Sequence, residues 1–101
     1  MDFDEEKAKE IVGSHILVGI TYLDRNGEIE SHLQFHGEVL SASSANGISV
    51  KLKGERDGEE YNLPPSTSHI LKADPGIYTL HSSGEKVENP DYLCTFEVHN
   101  K

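Results

Sequence analysis

The 101-residue chain carries 18 acidic against 9 basic residues, a net charge of −9, so its average field repels phosphates and nucleic acid is not an expected partner. Only 35% of its residues are hydrophobic, and no apolar run nears the roughly 20 residues that span a bilayer, so it fits one domain, residues 1–101, with a thin core and no membrane span. The acidic start (Asp2, Asp4, Glu5, Glu6) is unlike a signal peptide and the single Cys94 agrees with a reducing compartment, so the chain reads as soluble and cytoplasmic.

From Asp2 to Val12, Phe3, Ala8, Ile11 and Val12 fall close to helical spacing, Glu5 pairs with Lys9 at i,i+4, and Gly13 follows as a stop. Asp2 or Asp4 is suited to cap this short helix. A helix of about three turns is marginal alone, so it should dock on a sheet. The run from His15 to Leu23 is β-rich and almost continuously apolar, which predicts a strand covered on both faces, with the helix as one cover.

Asp24-Arg25-Asn26-Gly27 then predicts a hairpin turn. In the returning strand, Ile29, Leu33, Phe35 and Val39 share one parity and point inward; Glu28, Glu30, His32, Gln34, His36 and Glu38 share the wet one. Gly37 interrupts this strand and predicts a bend or bulge. After the Asn46-Gly47 turn, Ile48, Val50 and Leu52 alternate with Ser49, Lys51 and Lys53 in a third strand. A short fourth strand, Glu60 to Leu63, ends at Pro64-Pro65, which cannot continue a ladder. His69 to Ala73 reads as a weak strand, Asp74-Pro75-Gly76 as a turn into Ile77 to Leu80, and Tyr92, Cys94, Phe96 and Val98 share one parity of a last strand that carries Cys94 inward.

Short strands at close, turn-marked spacing predict a mainly β domain: a small antiparallel β-barrel with an N-terminal helix, or alternatively a β-sandwich. The order of elements over residues 3 to 63 resembles that of Sm-like and SH3-like barrels. For Sm proteins the resemblance implies RNA binding, against which stand the acidity and the lack of a basic and aromatic platform. The segments Phe35-His36-Gly37, Leu63-Pro64-Pro65, Pro75-Gly76-Ile77-Tyr78-Thr79-Leu80, Ser83-Gly84-Glu85 and Asn89-Pro90-Asp91-Tyr92 resemble a family of uncharacterised bacterial proteins of about this length. That resemblance implies a bacterial source and no known activity.

Six histidines raise the question of a metal. His32 and His36 sit four residues apart on one strand face, which separates them by about 13 Å, too far to share an ion. They read as surface residues, and neither a metal nor a cofactor is expected. Ser66 or Ser68 near His69, and Cys94 near His99, are residue types that catalysis uses, yet no G-x-S-x-G, H-E-x-x-H, C-x-x-C or Gly-rich phosphate loop is present. Cys94, flanked at i±2 by Tyr92 and Phe96, reads as a core residue.

The chain therefore reads as a non-enzymatic domain that binds another protein or forms a homo-oligomer; a small-molecule or RNA-binding barrel of Sm-like type and a minor enzyme are the alternatives. The expected partner surface is the irregular segment 66–76, with Ser66, His69, Ile70 and Leu71 as its residues and Ile70 or Leu71 as the apolar anchor.

Overall fold

The computed structural model describes residues 3–81 and 83–99 of the chain. Helix α1 spans Glu5–Ile11, and the Asp4 carboxylate caps it by accepting from the backbone N–H groups of Glu6 and Lys7 at 3.0 and 3.2 Å. Asp2, the other cap candidate, lies outside the described residues. Two turns do not hold themselves together, so the helix is tied at both ends. The Asp4 N–H donates to Thr67 Oγ1 at 2.8 Å, and beyond the helix the Gly13 N–H donates to the Val39 carbonyl at 2.8 Å. Ile11 joins the same core as the inward residues of the following strand, while Val12 is 45% exposed. The helix thus closes one end of the core and does not cover that strand's second face, where His15, Leu17, Gly19 and Thr21 are half-buried.

Among the described residues eight strands follow: β1 His15–Leu23, β2 Ile29–Ser43, β3 Gly47–Leu52, β4 Glu60–Leu63, β5 Ile70–Lys72, β6 Ile77–Thr79, β7 Lys86–Glu88 and β8 Tyr92–His99. The Asp24 carboxylate accepts from the N–H groups of Asn26 and Glu28, building the β1–β2 hairpin turn. Six strands form one sheet in the order β4-β3-β2-β1-β8-β5, and β6 and β7 form a separate hairpin. Two expectations need correction. The sheet is not wholly antiparallel, because β8 runs parallel to β1, with Val18 opposite Cys94. Nor is it closed into a barrel: β4 and β5 are its two ends, and residues 64–69 cross between them without strand pairing.

The sheet nonetheless curls. Leu63 of β4 and Ile70 of β5, from opposite ends of the strand order, share a core with Val18, Phe35 and Cys94, which a flat six-stranded sheet would not allow. The fifteen residues of β2 turn the corner, pairing with β1 along one part and β3 along the next. At Gly37 a Cβ would lie 2.1 Å from the Lys51 carbonyl oxygen, so only glycine admits this close approach. The bulge expected at Gly37 lies instead at Leu40, an extra residue in the β2–β3 ladder, while Gly37 itself stays in register with Leu52 and serves the close approach.

Phe35 and Val39 point into the core as their parity predicts, but Ile29 is 63% exposed because nothing packs over the start of β2. On the outer face the deviation is opposite. His36, expected at the surface, is only 8% exposed, because the turn between β6 and β7 lies over it. That turn is held by Leu80 and Gly84: the Leu80 N–H donates to the Glu85 carbonyl and the Gly84 N–H to the Leu80 carbonyl, both at 2.8 Å. The His81 N–H donates to Gln34 Oε1 at 2.6 Å, fastening the turn to β2. Cys94 is buried, and burial pushes its thiol up to about 12, which removes its nucleophilic form at neutral pH.

Candidate functional site

The turn over β2 creates a chain of polar groups in which His36 is buried and His15 and Glu85 are half-buried. His36 Nε2 lies 2.9 Å from Glu85 Oε2, and His36 Nδ1 lies 2.7 Å from His15 Nε2. An ionised carboxylate only accepts, so the His36 Nε2–H donates to Glu85; in the neutral ring Nδ1 is then a lone pair that accepts the His15 Nε2–H. One carboxylate thereby sets the tautomer of two rings. The pKa of His15 is lowered, first by burial and then by the neighbouring His36 and Lys53, with Asp91 acting in the opposite direction.

The backbone of β1 positions His15: its N–H donates to Asp91 Oδ2 and its carbonyl accepts from the Asp91 N–H, both at 2.8 Å. His36 follows from the register. Leu17 faces His36 and His15 faces Glu38, so the two histidines are diagonal neighbours on one face. Glu85 is held where a Cβ on Gly54 would stand 1.7 Å from its carboxylate, so the glycine leaves the space that the acid fills. Beside Glu85 opens a cleft of about 330 Å³ lined by His32, Gln34, Lys53, Arg56, Leu80 and Ser83, among others.

The histidine reading therefore changes. His32 and His36 are indeed not partners: His32 Nδ1 sits 3.2 Å from Thr21 Oγ1, while His36 pairs with His15 and Glu85. Sequence reasoning missed this cluster. The shared outer parity of residues 15 and 36 was a usable signal once the hairpin register is known, but nothing local points to Glu85, 49 residues from His36. Among the described residues no three His, Cys, Asp or Glu side chains are grouped so that they could hold a metal ion.

The residues expected at a partner surface separate. Ser66 is half-buried, with Oγ 3.2 Å from Ser68 Oγ. The His69 ring packs against Phe96 at 4.8 Å between centroids. Ile70 is fully buried in the core and so is no anchor for a partner; Leu71, its neighbour on the opposite face of β5, is 63% exposed.

Strand β5 is also a sheet edge. The Ala73 N–H donates to the Asp91 carbonyl at 3.1 Å and Leu71 faces Leu93, so by alternation Leu71 and Ala73 direct their backbone groups to β8 and Lys72 directs its own outward. Two adjoining hollows of about 790 and 300 Å³ lie between this edge and α1 and share Glu10, Lys72 and Tyr92. Asp4, Glu6, Glu10 and Asp91 line them against the two cations Lys7 and Lys72.

No protein-family model, curated protein or solved structure shows a significant match to this chain. Among the described residues no helix is long and apolar enough to cross a membrane.

Proposed function

We propose that the protein is a binding module, without catalytic activity of its own, that takes an extended basic segment of a partner protein onto the β5 edge. The observation that carries this reading is the edge itself: an exposed Leu71 beside an outward-facing Lys72 backbone, next to a groove along α1. Unpaired edges template strand addition, with main-chain hydrogen bonds for affinity and alternate side chains for selection. The acidic lining and the net charge of −9 favour a basic occupant over a nucleic acid. The other edge is less suited, because β4 is followed by Pro64 and Pro65, which cannot continue a ladder. The curl and the long bent β2 support reading the fold as an opened relative of Sm-like and SH3-like barrels. A cytoplasmic setting remains part of this proposal.

The test is a nuclear magnetic resonance titration with a synthetic peptide of alternating Lys and Val, beside light scattering of the protein alone. Amide shifts should concentrate at residues 71–73, β8 and α1. They should be lost in Leu71→Glu and in Lys72→Pro, which removes an outward donor and leaves the β8 ladder intact. Shifts that ignore both substitutions would overturn the reading, as would a dimer that uses this same edge in the absence of peptide.

A further inference from the structure

The cleft beside Glu85 shares no lining residue with the β5 groove and has the reverse chemistry. In a chain with only nine basic residues, Lys51, Lys53 and Arg56 fall within six positions, and two of them, Lys53 and Arg56, line this cleft. Their backbone is pinned. The Lys53 N–H donates to the His36 carbonyl at 2.9 Å, and the 3-10 turn Gly54–Arg56 is closed by the Asp57 N–H on the Gly54 carbonyl at 3.1 Å and the Glu59 N–H on the Arg56 carbonyl at 3.0 Å. Gly54, at φ +74°, lets the turn sit down on the Glu85 carboxylate.

The remaining walls add donors. Gln34 Oε1 is occupied by the His81 N–H, so what Gln34 has left to offer is its amide N–H₂. Ser83 Oγ accepts from the Glu85 N–H at 3.2 Å, which leaves its hydroxyl proton free to turn toward a ligand. Among the described lining residues the carboxylate that faces this set is Glu85, with Oε2 engaged by His36. The donors and two cations match an oxyanion, and the carboxylate matches a group that gives up a hydrogen bond. A volume of about 330 Å³ is the size of a small metabolite.

We propose that this cleft is a binding site for a small metabolite bearing a phosphate or carboxylate together with an amino or hydroxyl group, Lys53 and Arg56 holding the oxyanion and Glu85 the donor. Occupancy should be felt at the histidines behind it. An anion on Lys53 offsets the positive charge that helps depress His15, so binding should raise the His15 titration midpoint.

The experiment is a titration of the full chain with phosphoserine and with inorganic phosphate, read by imidazole and amide resonances, with sodium chloride at matched ionic strength as the control. Saturable shifts around residues 32–36, 53–56 and 83–85 are expected, with phosphoserine about tenfold tighter than phosphate because it also satisfies Glu85. The double variant Lys53→Ala, Arg56→Ala should weaken both ligands at least about tenfold, and Glu85→Gln should erase the preference for phosphoserine. Shifts reproduced by chloride, or weakened equally by the remote control Lys7→Ala, Lys9→Ala, would overturn the site; so would binding that survives the double variant in a folded protein.

Discussion

The two parts of β2 carry the same alternating pattern and meet opposite fates. Around Ile29 to His32 the strand pairs with β1 but has little above or below it, and both its apolar and polar side chains are exposed. Around Phe35 to Val39 it is buried on both faces: Phe35 and Val39 enter the core, and His36 lies under the β6–β7 turn. Alternation therefore assigns side chains to faces, while burial depends on what is laid over each face. The His36–Glu85 pair exists because a remote turn covers a face whose sequence reads as wet.

The largest test of that contrast is Gly37→Ala in the doubly buried part. The new Cβ would meet Lys51 and Leu52 backbone at 2.1 to 2.9 Å, and backbone cannot swing aside, so about 3 kcal/mol should be lost in urea unfolding. Gly19→Ala on neighbouring β1, where Thr95 Cγ2 stands 3.9 Å away, should change stability by less than about 1 kcal/mol. Equal losses at the two sites would mean that close approach is not what selects Gly37.

A smaller effect separates Gly54→Ala from Gly58→Ala. Both glycines have positive φ, +74° and +93°, so each substitution should cost about 1 kcal/mol of backbone strain. Only at Gly54 does the methyl also displace Glu85, which should add about another 1 kcal/mol and break the His36 hydrogen bond, visible as a shifted His36 imidazole resonance.

The pH dependence sharpens the comparison further. The folded His15 pKa lies below the ordinary value of 6.5, so below that pH the unfolded chain binds more protons than the native one. The stability contributed by His15 is thus complete above 6.5 and is lost as pH falls below it, toward the folded pKa. Chemical denaturation from pH 8 down to 5 should show this decline, and His15→Gln should flatten it; an unchanged slope would remove His15 as its source. The smallest effect is expected in the exposed part of β2, where Ile29→Thr should shift stability by no more than about 0.5 kcal/mol. A loss of several times that in a dilution series would reveal a partner or second copy covering Ile29.

Much of the fold was legible locally. The Asp4 cap, the Asp24 to Gly27 turn, and the inward parity of Phe35, Val39, Val50, Leu52 and Cys94 all depend on interactions within a few residues or on strand alternation. Four features were not, the first being strand β7, Lys86–Glu88, whose three residues are too few for their alternation to stand out between two turns. The β1–β8 pairing is parallel and joins segments about 75 positions apart, for which no turn residue gives a signal. Ile70, in a strand of three residues, has too little pattern for its inward parity to be read beside Leu71. The Glu85–His36–His15 chain needs both a hairpin register and a covering turn from the far end of the chain.

By itself, then, the sequence determined every strand but β7, most of the turns, an acidic composition and the apolar side of the longer ladders, because propensity, turn chemistry and alternation act over a few residues. Tertiary structure alone decided which edge stays open and which polar face is buried. Those outcomes depend on burying apolar area against segments remote in the chain: the core takes Ile70 from one edge and Leu63 from the other, and the β6–β7 turn removes His36 from water by giving it Glu85 in exchange.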